Sequence, residues 1–176
     1  SLIIEQNTVL SYNKVKPIEE DLDYKMYSYI LKELKKNNYN HYEVSNFAKE
    51  GYQSKHNLNY WQNNEYYGFG LGAHVFISEL RYENTRSFNT YLKGNRFNEL
   101  VLSKREDMEN EVILGLRKLE GINIVDFFNK YKINIQDEFN ITPLLKNGLL
   151  KIKDNNIYIP EEKIYIMNTI LNEILK

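Results

Sequence analysis

The run His56-Asn57-Leu58-Asn59-Tyr60-Trp61 joins an imidazole to two large aromatic rings within one short segment. A neutral imidazole can ligate iron or move a proton, and tyrosine and tryptophan offer flat apolar faces of the kind that pack against a planar macrocycle. The same residues also suit a hydrogen-bonded structural histidine among aromatics, because histidine is only intermediate in its tendency to burial. Spacing alone leaves both readings open.

A second run, Gly68-Phe69-Gly70-Leu71-Gly72-Ala73-His74, feeds an apolar segment at Val75. Glycines let a backbone approach a ligand closely and adopt positive φ. A dinucleotide fingerprint needs a strand before the glycines and a helix after them, whereas here an aromatic stretch precedes and a strand follows, so that class is disfavoured. The alternative is a tight turn into a buried strand. A third run, Tyr42-Glu43-Val44-Ser45-Asn46-Phe47, sets a carboxylate, a hydroxyl and an amide at the end of an expected strand, where α/β proteins assemble sites but where strands also need polar caps. Arg81, Glu83 and Arg86 form either a small anion-binding group or a solvated face.

The elements that position these runs are legible in part. Leu2-Ile3-Ile4 reads as a strand. Glu19-Glu20-Asp21 then places negative charge at a helix start, Leu22, Met26, Tyr29-Ile30 and Leu34 recur at helical steps, and Lys35-Lys36 falls at the end, before Asn37-Asn38. With Tyr39 to Val44 extended, this is the strand–helix–strand order of a parallel α/β sheet. Residues 45–73 lose periodicity and read as a loop, a usual home for binding groups. Val75 to Ile77 and Arg81-Tyr82 read as extended, and Ser87 to Leu92 as a short helix. Beyond a change of character at Arg96 to Ser103, helices are expected over Glu106 to Leu119, Ile124 to Tyr131 and Ile135 to Lys146, with strands at Leu149 to Ile152 and Ile157 to Ile159 around Asp154-Asn155-Asn156, and a last helix from Glu161. Three helices, a hairpin and a closing helix describe a winged-helix-like module.

Composition bounds the function. In 176 residues, 23 basic and 24 acidic side chains leave a net charge of −1, so no chain-wide positive field gathers phosphate backbone. Lys104-Arg105 and Arg117-Lys118 are offset by Glu106, Asp107, Glu109, Glu111 and Glu120, and Asp137 and Glu138 put the wrong sign on the helix that would read DNA; nucleic acid is not expected. No apolar run approaches the roughly 20 residues that span a bilayer, so the chain is expected to be soluble. It contains no cysteine, and thiolate ligation of a metal or an iron–sulfur cluster therefore falls outside these residues. The start, without Met or a signal pattern and directly on an apolar strand, reads as a segment entering mid-fold.

Taken together, Tyr42 to Ala48, His56 to Trp61 and Tyr66 to His74 resemble consecutive motifs of one family, the haem-chaperone (HemW-type) branch of the oxygen-independent coproporphyrinogen III oxidase group of radical S-adenosylmethionine proteins. The HNxxYW run at His56 is the specific part. The resemblance implies an α/β fold: residues 1–100 as the C-terminal part of an incomplete parallel (β/α) barrel of the radical-S-adenosylmethionine type, and residues 101–176 as the group's mostly helical, winged-helix-like C-terminal domain. It implies haem or porphyrin binding by His56, Tyr60 and Trp61, with His56 the residue for haem iron, and a place against S-adenosylmethionine for Ile3, Gly70, Gly72 and Ala73. S-adenosylmethionine and a 4Fe–4S cluster belong to the full-length family proteins. The expected function is haem binding and delivery to an acceptor protein in the cytoplasm, the alternative being coproporphyrinogen oxidation in porphyrin biosynthesis. No catalytic residue is assigned, and these residues alone are expected to be inactive in radical chemistry.

Overall fold

A computed structural model describes Ile4 and residues 6–176. Leu2 and Ile3, and with them the opening strand and the assignment of Ile3 to S-adenosylmethionine, lie outside the described residues. A single turn, α1 (Val9–Tyr12), precedes α2 (Glu20–Lys36), whose acidic first turn and Lys35-Lys36 end complement the helix dipole as expected. β1 (Asn40–Glu43) follows and pairs antiparallel with β2 (Asn46–Ala48). All strand pairing among the described residues is antiparallel. The fold is therefore mixed α/β, and the parallel partner expected for β1 falls on the undescribed segment.

The region 45–73, expected to be a loop, contains a helix, α3 (Lys55–Trp61). Beyond it, β3 (His74–Ile77), β4 (Leu80–Asn84) and β5 (Arg96–Val101) form an antiparallel sheet in that order, with α4 (Phe88–Tyr91) between the last two. Ser78 and Glu79 both take positive φ, the backbone of a type I′ turn that matches strand twist.

The rest of the chain is mainly helical. α5 (Lys104–Gly115) opens on a capping box in which Ser103 and Glu106 bond each other's backbone amides. It is shorter than the expected helix to Leu119 because residues 117–119 turn away to bond β1: the Val44 amide donates to the Arg117 carbonyl at 2.9 Å and Leu119 donates to Tyr42 at 3.2 Å. β6 (Ile122–Asn123) leads into α6 (Ile124–Tyr131). The single helix expected over Ile135 to Lys146 is two, α7 (Ile135–Glu138) and α8 (Ile141–Lys146), with Phe139 extended between them. Pro143 accounts for the break: it has no amide to donate to residue 139, and its ring would strike that carbonyl in a continuous helix. β7 (Lys151–Lys153) and β8 (Asn156–Tyr158) close on Asp154-Asn155, both at positive φ, and the small sheet runs β6-β8-β7. A 3₁₀ helix (Glu161–Ile166) and α9 (Met167–Ile174) end the chain.

Burial is uneven. One apolar core gathers residues from Met108 to Ile174, with Val112, Leu116, Ile141 and Ile157 wholly inside. Each such side chain contributes about 1.5–3 kcal/mol by leaving water. In α2, by contrast, no residue is buried, and Leu22, Met26, Tyr29 and Ile30 stay exposed although their spacing marks one face. That face borders an open cavity of about 860 Å³, bounded by α2, the β1–β2 hairpin and the chain's last helices. No helix among the described residues is long and apolar enough to cross a membrane.

Candidate functional site

α3 carries the imidazole–aromatic run. Asn57, Asn59 and the aromatics are poor helix formers, so the helix depends on its ends. Ser54 caps it by accepting the Asn57 amide at 3.3 Å, and its own amide donates to the Tyr42 hydroxyl at 3.3 Å, which fixes the helix start to β1. At the other end Asn63 donates to the Tyr60 carbonyl and Asn64 to the Asn59 carbonyl, with Asn63 at φ 49°; this is a Schellman closure with asparagine in the left-handed position.

His56 and Tyr60 are four residues apart, hence on one face. Their rings meet edge to face at 4.8 Å. The run continues from Tyr60 to Tyr66 at 4.6 Å and from Tyr66 to Phe76 at 6.4 Å, both edge to face. His56 is exposed, and no side chain among the described residues hydrogen-bonds its ring nitrogens. Burial pushes the Tyr66 phenol above its ordinary range, with Arg81 pulling it back and Tyr60 adding to the rise. Trp61 leaves this face: Arg117 lies over its ring, 5.2 Å from the centroid, while its indole nitrogen is buried without a hydrogen-bond partner. The fold thus brings His56 and Tyr60 together and turns Trp61 toward the segment that follows α5.

The glycine run is a fastened turn. Tyr66 and Phe76 exchange backbone hydrogen bonds at 2.8 and 3.1 Å, closing the turn at its base. The Asn84 side-chain amide donates to the Gly68 and Gly70 carbonyls at 3.0 Å each, and the Gly70 amide donates to the Tyr91 hydroxyl at 3.1 Å. Gly70 and Gly72 take φ of 97° and 67°, and Ala73 holds the Asn84 amide through its carbonyl at 2.8 Å. Tyr67 and Phe69 stand out from the turn with their rings stacked, 72% and 85% exposed. The turn and the His56 face therefore share one structural base, the Tyr66–Phe76 bridge.

Side chains far apart in sequence meet behind this face, and of these Asn63 left no signal in the sequence. Asn63, only 5% exposed, donates its amide to Asp107 at 2.8 Å and accepts from Arg81 at 3.2 Å. Arg81 is thus engaged within the fold, over the Phe76 ring at 4.6 Å, and Glu83 faces His74 and Asn98, which leaves Arg86 as the exposed member of a group expected to be either an anion site or a solvated face. Tyr131 donates to Asp107 at 2.8 Å, and burial together with Asp107 and Glu111 holds its phenol protonated well above the usual range. Glu43 is wholly buried, one oxygen accepting the Ser45 amide at 3.3 Å. No group of three or more histidine, aspartate or glutamate side chains suited to a metal ion occurs among the described residues.

Residues 102–165 match the HemN C-terminal domain. The fold agrees, since Coproporphyrinogen III oxidase (HemN) from Escherichia coli superimposes with a TM-score of 0.67 at 14% identity, over 88% of this chain and 41% of that one. Sequence likeness is narrower. The chain is 39% identical to the heme chaperone HemW of Lactococcus lactis and 32% identical to that of Bacillus subtilis, in each case over 99% of this chain and 49% of the relative. It belongs to the HemN/HemW family and corresponds to its C-terminal part. The chain spans about half the length of the curated relatives it matches.

Proposed function

We propose that this chain is the haem-binding portion of a haem chaperone, in which His56 ligates the iron of a haem carried to an acceptor protein. The observation that carries this reading is the exposed imidazole of His56, without a hydrogen bond from any side chain among the described residues and set edge-on to Tyr60 at the head of an aromatic run. A neutral ring nitrogen supplies the lone pair, and Tyr60 restricts how the imidazole can rotate. The exposed position suits a cargo that must be handed on, since a buried ligand would have to be unpacked at every transfer. The stacked Tyr67 and Phe69 add apolar surface on the neighbouring turn. The naming of the Lactococcus and Bacillus relatives supports delivery of haem as the purpose, whereas the likeness to the Escherichia enzyme is one of fold.

The same reading places residues 1–100 at the end of a partial barrel and residues 101–176 in a winged-helix-like domain, with the protein acting in the cytoplasm. A 4Fe–4S cluster would be held by cysteines elsewhere, as these residues contain none. Gly70, Gly72 and Ala73 would lie against S-adenosylmethionine, a role that the positive φ of both glycines suits.

Haemin titration tests the proposal. His56→Ala is expected to weaken haemin binding by about ten-fold or more and to move the Soret maximum, since even partners of a metal ligand are worth about 10–100-fold. Equal affinity and identical spectra for the two proteins would remove His56 from the site.

A further inference from the structure

Asn63 stands where three separate parts of the fold meet. It closes α3 in the left-handed position, its amide nitrogen bonds Asp107 at 2.8 Å on α5, and its amide oxygen takes a hydrogen bond from Arg81 at 3.2 Å on β4. Arg81 lies over Phe76 at 4.6 Å, Phe76 meets Tyr66, Tyr66 meets Tyr60, and Tyr60 meets His56. Since Tyr60 and Asn63 are both joined to α3, the contacts form a closed circuit that returns to the helix from which it started.

We infer that Asn63 is a positioning residue for haem: through Asp107 and Arg81 it fixes the carboxyl end of α3 and the Tyr66–Phe76 base together, and so sets the direction in which His56 presents its ring nitrogen. The inference rests on the haem reading above. A buried amide is suited to the task because it can donate to a carboxylate and accept from a guanidinium at once, which neither a carboxylate nor an aliphatic side chain can do. Charge-assisted bonds on both sides make this stronger than a neutral cap. Asp107 is itself held by the Tyr131 hydroxyl at 2.8 Å and faces Lys130 at 3.5 Å, so the anchor belongs to the apolar core of the chain's second half.

The discriminating variant is Asn63→Gly, which keeps the left-handed backbone available and removes only the amide group. Haemin titration, with the Soret spectrum recorded at saturation, is expected to show about ten-fold weaker binding and a spectrum displaced toward that of His56→Ala. The exchange Asn63→Asp with Asp107→Asn restores the hydrogen bond with its polarity reversed and keeps an acceptor for Arg81, and it is expected to return both affinity and spectrum to those of the starting protein. Arg81→Leu opens the same circuit on its other side and should reproduce the Asn63→Gly spectrum if that variant does not accumulate. Wild-type affinity and spectrum in Asn63→Gly, whatever its melting temperature, would overturn the inference and leave Asn63 a structural cap. If His56→Ala also binds like the starting protein, the haem reading itself fails, a result separate from failure of Asn63 alone.

Discussion

Gly121→Ala is expected to lower the melting temperature by about 10 °C, or to prevent accumulation of folded protein, for two reasons that act together. Gly121 has φ of +77°, where a side chain costs about 1 kcal/mol or more. A Cβ at this position would also lie 2.0 Å from the Ile157 carbonyl oxygen and 2.7 Å from the Tyr158 Cβ. Both neighbours belong to β8, and Ile122 pairs with Ile157 in the next step, so neither can retreat without opening the small sheet. Overpacking of this kind costs about 1–3 kcal/mol, which with the strain makes about 3 kcal/mol or more. For a chain of this size that is about 10 °C. Gly148→Ala serves as the control, since Gly148 has a similar φ of +70° but nothing within 4 Å of the added carbon. Thermal unfolding of both separates the clash from the strain; equal losses would show that β8 yields and that the contact is soft.

The second large effect concerns the site. Gly68 does not take positive φ, so its need for glycine is one of space alone: a Cβ would lie 2.0 Å from the His74 carbonyl oxygen. Alanine there would force the base of the glycine turn apart and with it the Asn84 bonds to the Gly68 and Gly70 carbonyls. The expected loss is about 3 kcal/mol, the upper end of the overpacking range because the obstacle is backbone. Unlike Gly121→Ala, this change should also disturb the Tyr60–Tyr66–Phe76 run, so haemin affinity should fall along with stability. Differential scanning fluorimetry with and without haemin reads both; a fall in stability with unchanged haemin affinity would detach the turn from the site.

Elements with strong periodicity or punctuation were legible in the sequence, and those maintained by distant contacts were not. The span of α6 follows from Asn123 as cap and apolar residues at helical steps, and α2 from its charged ends. β5 escaped notice because all six of its residues are exposed, so no alternation marks it; pairing with β4 alone makes it a strand. α3 escaped because Asn57 and Asn59 argue for a loop, and its helix rests on the Ser54 cap and the Asn63 closure. At the site, His56 and Tyr60 were visible as a pair, since four residues is a local spacing. The grip of Asn63 on Asp107 was not, because the two are 44 residues apart in sequence and nothing in either run names the other.

The uneven burial described for the two halves has a mechanical side. With the apolar core gathered between Met108 and Ile174, the second half resists local opening, while α2, with no buried residue, is poorly braced. α3 sits at the joint, its far end gripped by α5 and its near end tied to β1. A helix held at both ends keeps its root still, so local opening of α2 need not disturb the exposed imidazole that α3 presents.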